Sequence, residues 1–299
     1  MSHTLTRRNL IGALALTGAA ARAQNGFKQL APPPKGSIPV AFALSPGAVV
    51  IDYCGPWEVF QDAVVPDRQN PFHLYTVAER EGPVTTSAGM RVVADYSFAN
   101  APQPKIVVIP AQLGGPALEA WVKKVAPNAD LTMSVCTGAF HLAKTGLLDG
   151  KSATTHHGSY VAFAKAFPKV NLKRGFRFID EGNVASAGGL TSGIDLALHV
   201  VERYFGHAAA MDTAYYMEYQ GRGWLDSTGA ANAEYAEARP PAGDRLIDPV
   251  CGMPVAANSQ FVSKKDGKEY RFCQKSCKEQ FDADPNAFVS APGSGSMKR

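Results

Sequence analysis

A chain of 299 residues is too long for one compact core of ordinary size and too short for three, so one large domain plus a small one is expected. With 45% hydrophobic and 19% charged residues it has the composition of a globular chain able to bury a core. A formal charge of +4 is too small and too spread to imply nucleic acid, so none is expected as a partner.

The first segment in chain order is an address. Arg7-Arg8 precede an apolar run from Leu10 to Ala21, and Ala21-Arg22-Ala23 supplies the small-x-small pattern of a signal-peptidase site. The run is much shorter than the roughly 20 apolar residues that cross a bilayer, so no stable membrane span is expected. Residues 1–23 read as a twin-arginine signal peptide, cleaved after Ala23, which directs the protein to the periplasm or otherwise out of the cell. Residues 24–37 follow as a tether, stiffened by Pro32-Pro33-Pro34 and without means of packing.

From 38 to 222 short β-branched runs alternate with longer amphipathic ones, the pattern of an α/β domain with a mostly parallel sheet sandwiched by helices. Strands are predicted at 39–44, 73–78, 106–109 and 132–135, with a hairpin over 84–93. Helices are predicted at 55–65, 117–125, 138–147, 159–167 and 192–204. The last is capped by Thr191 or Ser192, has Asp195 in its first turn, and carries His199 as a histidine of a partly buried face. Residues 223–247 lack an apolar stripe and read as a linker. A compact module occupies 248–290, and the Gly/Ser-rich residues 291–299 form a disordered tail.

The informative stretch of the large domain is Ser134-Val135-Cys136-Thr137-Gly138-Ala139-Phe140. An apolar strand runs into Cys136, and Thr137-Gly138 turns it at once into a helix. Such an elbow thrusts its side chain out at the sheet's carboxyl edge, where open α/β folds bind ligands, and the helix dipole there favours a thiolate. Asp52 follows the first strand and is placed to exchange a proton with the thiol or a substrate. His156, beside His157, follows the elbow helix and can orient, deprotonate or protonate. The alternatives are a buried core cysteine, a carboxylate capping helix 55–65 and histidines of a solvated loop. Convergence of the three favours chemistry. Cys54, two residues from Asp52, projects to the same side if the segment is extended and could then pair with Cys136; a packed small hydrophobe is the preferred reading.

Asp52-Tyr53-Cys54-Gly55-Pro56-Trp57-Glu58-Val59-Phe60, the elbow, Ala153-Thr154-Thr155-His156 and Gly188-Gly189-Leu190-Thr191-Ser192-Gly193-Ile194-Asp195 together resemble the ThiJ/PfpI family of the class I glutamine amidotransferase-like superfamily. The branch it resembles contains isonitrile hydratase and the amidotransferase-like domains of AraC-type regulators. The resemblance implies a flavodoxin-like fold, Cys136 as nucleophile, Asp52 as its acidic partner, His156 as the nearby histidine and the Thr137 backbone N–H as an oxyanion donor. It implies a small-molecule substrate, no cofactor for this domain and a homodimer. Where the family often has Pro-Gly-Gly, the chain has Pro110-Ala111-Gln112-Leu113, which reshapes the oxyanion site. A His-x-Glu motif is missing, which argues against glutaminase activity, and the regulators' helix-turn-helix is not found, which argues against a transcription factor.

In the small module the spacing is C-x21-C-x3-C, through Cys251, Cys273 and Cys277. Cys273 and Cys277, four apart, are expected on one helical face opposite a turn holding Cys251. Three thiolates suit copper or zinc, whereas in an oxidising compartment two could pair and leave one thiol over. The module is similar to the YHS domain, which implies a small cysteine-rich α+β fold that handles a heavy-metal ion. The readings in competition are an exported cysteine enzyme, isonitrile hydratase-like, and a periplasmic metal-binding or metal-stress protein whose large domain is a sensor or scaffold.

Overall fold

The computed structural model describes residues 27–226, 235–236, 246–250, 254–273 and 275–288. The signal peptide, the tail, most of the linker and Cys251 lie outside the described residues. Along the large domain come β1 (Ile38–Ala43), helix α1 (Val50–Gln61), β2 (Phe72–Ala78), the antiparallel ribbon β3 (Gly82–Thr85) and β4 (Arg91–Ala94), and β5 (Tyr96–Ser97). Then follow β6 (Ile106–Ile109), α2 (Pro116–Val125), β7 (Leu131–Ser134), α3 (Gly138–Lys144), β8 (Ser152–Ala153), α4 (Tyr160–Ala166), β9 (Asn171–Leu172), β10 (Phe178–Asp180), β11 (Val184–Ala187), α5 (Ser192–Phe205) and α6 (His207–Tyr216).

The central sheet has the order β10-β11-β7-β6-β1-β2-β5, parallel throughout except that β10 runs antiparallel to β11. Its inner strands are buried on both faces, which is why they read as continuous apolar runs. Val40 and Phe42 of β1 join a core with α1 and α5, while Ala41 and Ala43 join a second core with α2 and α3 on the other face. The chain leaves β1 toward β2 and later returns to its other side as β6, so the strand order reverses beside β1. The carboxyl ends of β1 and β6 therefore flank the crevice where ligands bind in folds of this kind.

Helix α1 begins five residues before the expected 55. A Pro46-Gly47 turn, with Gly47 at φ 77°, reverses the chain directly after β1, and Ser87 Oγ accepts the Val50 N–H that a helix start leaves unpaired. Asp52 thereby sits in the first turn of α1. In a helix residues two apart project to opposite sides, so Cys54 points away from Asp52 rather than alongside it. Cys54 is a free, partly buried thiol packed on the core, as the preferred reading had it.

Two further segments differ from expectation. Residues 27–36 are not an unpacked tether: the Leu30 N–H donates to Arg203 O at 2.8 Å, Arg203 Nε donates to Lys28 O at 2.9 Å, and Phe27 lies edge-on to His199 at 4.6 Å. His199 itself is a buried core histidine, as expected, with Nε2 2.9 Å from Asp180 Oδ2. Past residue 222, Trp224 is buried and its N–H donates to Asp195 Oδ1 at 3.0 Å, which carries the packed domain to that point.

The small module has the hairpin β12 (Leu246–Ile247) and β13 (Pro254–Val255), the hairpin β14 (Val262–Lys265) and β15 (Lys268–Arg271), and helix α7 (Lys275–Ala283). Its core is small: Val250, Phe272, Cys277 and Phe281. It touches the large domain through Ser159 Oγ, which donates to Val250 O at 2.8 Å, and Lys165 Nζ, which donates to Asn286 O. Among the described residues no helix is long and apolar enough to cross a membrane.

Candidate functional site

The strand β7 ends and α3 starts with a single residue doing the turning. Cys136 has φ 57°, a left-handed conformation that costs a residue with a Cβ about 1 kcal/mol or more. Several contacts hold it there. Its N–H donates to Gly188 O at 2.8 Å, its carbonyl accepts Thr155 Oγ1–H at 2.9 Å, and the Gly138 N–H donates to Val135 O at 2.9 Å. Gly138 must be glycine, because a Cβ would lie 2.2 Å from Ile109 O.

Asp52 is wholly buried. Its Oδ2 accepts the Ala111 N–H at 3.1 Å, while Oδ1 is buried with no hydrogen-bond partner. Burial pushes its carboxyl up to about 7, against the lowering effects of the Ala111 N–H and the Cys136 thiol. Cys136 is 7% exposed, and its thiol is raised well above the usual cysteine range, first by burial and then by the Asp52 charge. The backbone N–H groups of Thr137 and Leu190 act in the opposite sense and are outweighed. The expected dipole-stabilised thiolate is therefore not the resting form. Instead the sulfur and the carboxyl form a buried pair that holds one proton between them near neutral pH, because two adjacent negative charges are disfavoured there.

Of the residues singled out in the sequence, the structure brings together Cys136, Asp52 and the Thr137 N–H. His156 is adjacent without sharing a hydrogen bond with the thiol. It follows Thr155, which holds the Cys136 carbonyl, and packs on Gly189, where a Cβ would lie 2.6 Å from its Cδ2. Its Nδ1 accepts the Gly158 N–H at 3.1 Å, which assigns the proton to Nε2, and burial lowers its pKa to about 4. Of the three roles left open for His156, this arrangement favours a neutral donor over a base.

The 110–115 loop answers the question left by the missing Pro-Gly-Gly. The Ala111 N–H serves Asp52, Gln112 Oε1 accepts the Ser45 N–H at 2.6 Å, and the Gly114 N–H donates to Ser45 Oγ at 2.8 Å. The donors that face the sulfur are thus those of Thr137 and Leu190, and the latter sits at φ 46° just before α5. Ala111 and Leu190 went unnoticed in the sequence, although Leu190 lies inside the Gly-Gly-Leu-Thr motif.

In the small module Asp248, Cys273 and Cys277 converge, with one ligand atom from each within 4.8 Å of the others. Cys273 precedes α7 rather than sharing a helical face with Cys277, yet the two Sγ atoms are 3.9 Å apart. Cys251 lies outside the described residues. Asp248, unnoticed in the sequence, is wholly buried; Oδ1 accepts the Val250 N–H and Oδ2 the Cys273 N–H, each at 2.8 Å. Burial raises its carboxyl to about 6. Two sulfurs and an oxygen at such separations fit a thiophilic ion of the zinc or copper type.

Residues 39–203 match the DJ-1/PfpI family. The chain belongs to that family. Residues 246–291 match the YHS domain, so the DJ-1/PfpI domain is joined to a second, separate module. The isonitrile hydratase of Pseudomonas putida is 31% identical over 219 residues, which cover 70% of this chain and 92% of that protein. The HTH-type transcriptional regulator CdhR of Pseudomonas aeruginosa is 30% identical over 58% of this chain, and the match spans 52% of the regulator. In structure, a ThiJ/PfpI family protein from Pseudomonas syringae superposes with a TM-score of 0.56 at 23% identity, covering 68% of this chain and 90% of that one. This last likeness establishes the fold. The family holds both an enzyme and regulators, so membership by itself does not settle catalysis.

Proposed function

We propose that the DJ-1/PfpI domain is a cysteine-dependent hydratase or hydrolase of small electrophiles, with isonitriles as the leading substrate class. The observation that carries this reading is the buried Cys136 and Asp52 pair at a strained elbow, next to an unpaired carboxylate oxygen. As sulfur attacks the isonitrile carbon, the thiol proton passes to Asp52, and the Thr137 and Leu190 N–H groups face the developing charge. Asp52 returns that proton to the carbon, leaving an S-linked thioimidate. The carboxylate then takes a proton from water as the hydroxide adds, and the proton goes to nitrogen. Collapse of the adduct releases the N-substituted formamide and restores the thiol. The similarity to an isonitrile hydratase supports this choice of substrate.

We further infer that the YHS domain holds a heavy-metal ion, supported by the convergence of Cys273, Cys277 and Asp248. The Arg7-Arg8 segment and its apolar run support export through a twin-arginine signal. The test of the enzymatic reading is turnover of isonitriles, glyoxals and amides by the wild type and Cys136→Ala, read as product by mass spectrometry. Formamide from the wild type alone is the expected result. Equal turnover by both proteins, or none on any substrate, would leave the second reading, a metal-stress protein with a non-catalytic large domain; the similarity to regulators supports that alternative.

A further inference from the structure

We propose that Asp248 is itself a metal ligand, so that the YHS domain presents a mixed sulfur and oxygen site selective for a borderline divalent ion of the zinc type over monovalent copper. The inference rests on the metal-binding reading of the module and extends it from thiols to a carboxylate. Its geometric basis is the 3.9 Å between Cys273 Sγ and Cys277 Sγ. Two metal–sulfur bonds of about 2.3 Å at a tetrahedral angle put their sulfurs about 3.8 Å apart, so the pair already has the edge length that such an ion needs. A carboxylate oxygen lies within 4.8 Å of both sulfurs, on the same small cluster.

The hydrogen bonds of Asp248 do not use up its capacity. Each carboxylate oxygen accepts about two bonds, and Oδ1 and Oδ2 each spend one on a backbone N–H, from Val250 and Cys273. Ligating carboxylates are commonly fixed in this way by hydrogen bonds behind them. Here the same N–H contacts also tie the loop around Val250 to the residue that supplies one of the sulfurs. The carboxylate is wholly buried beside a small apolar core, so an unpartnered charge would be costly there and a cation would relieve it. Soft thiolates alone would favour Cu(I), whereas adding a harder oxygen moves the preference toward a divalent ion of intermediate softness.

The experiment uses the full-length protein loaded with Zn(II), Co(II) or Cu(I). X-ray absorption on the Zn(II) form is expected to give sulfur at about 2.3 Å together with oxygen at about 2.0–2.2 Å. In the Co(II) form Asp248→Asn should move the d–d bands while leaving most of the sulfur-to-cobalt charge transfer. It should also weaken Zn(II) binding by more than the 10–100-fold typical of losing a residue behind a ligand. Asp248→Cys should keep the ion, add one thiolate to the charge-transfer intensity and shift preference toward Cu(I), a result that a merely structural aspartate cannot produce. An all-sulfur shell, or unchanged d–d bands in Asp248→Asn, overturns the ligand role of Asp248. Retention of stoichiometric Zn(II) by Cys273→Ser overturns the metal reading of the module itself, so the two failures are distinguishable.

Discussion

The two cysteine centres of this chain use the same parts to opposite ends. At the elbow a single buried thiol faces a single buried carboxyl, and burial together with mutual repulsion raises both, so they share a proton. In the YHS domain a buried carboxyl faces two sulfurs that converge within ligand distance of one another. One acid opposite one thiol makes a proton relay, because the stable arrangement has a proton between them. Three donors around a common point make a cation site, because a proton cannot bridge all three. The number and convergence of the donors decide the chemistry, and residue type alone does not.

The comparison is sharpened most by Asp52→Asn. Turnover should fall about 10²–10⁴-fold, the usual contribution of a positioned acid or base. Iodoacetamide labelling of Cys136 at pH 7 should rise in the same variant, because the charge that disfavours the thiolate has been removed. Slower labelling would mean that Asp52 activates the sulfur instead of sharing its proton.

The next effect is on packing at the elbow. Gly138→Ala forces a Cβ to within 2.2 Å of Ile109 O and should destabilise the large domain by about 2 kcal/mol or more, read from denaturant unfolding. Metal content per YHS domain should be unchanged; a parallel loss of metal would break the separation of the two centres.

Asp52 also sets a pH dependence of stability. Its folded pKa, about 7, lies above the ordinary 3.8, so the folded state binds the extra proton between those values. The stabilisation is full below pH 3.8 and is lost as pH rises through about 7. Asp52→Asn should therefore unfold at higher denaturant than the wild type at pH 8, by on the order of 3 kcal/mol, and lose that advantage near pH 3. An advantage independent of pH would contradict the buried-charge account.

The smallest effect belongs to the contact between the modules. Ser159→Ala removes the hydrogen bond to Val250 O and should cost about 1 kcal/mol, seen as faster amide exchange around Val250 with the elbow unaffected. Altered turnover in that variant would show that the YHS domain reports to the site.

Much of this arrangement was legible in the chain. Apolar β-branched runs identified strands β1, β2, β6 and β7 to within a residue or two, because strands buried on both faces admit little else. The elbow was visible as a strand ending on Cys136 with Gly138 behind it, and the cysteine spacing marked the YHS domain. Less legible were short elements such as β8 and β10, whose pairing is made by distant neighbours rather than by local pattern, and the early start of α1, which depends on a Ser87 hydroxyl 37 residues away.

The sequence by itself determined the fold class, the two-module plan, and which thiols and which carboxylate of the large domain matter, since periodicity and motif spacing are local properties. Only the tertiary structure decided the electrostatics. Burial reversed the expected thiolate, the Ala111 N–H was committed to Asp52, and Asp248 was brought to two sulfurs separated from it by 25 and 29 residues of chain. Desolvation and convergence depend on what surrounds a group in space, and neighbours along the chain do not report it.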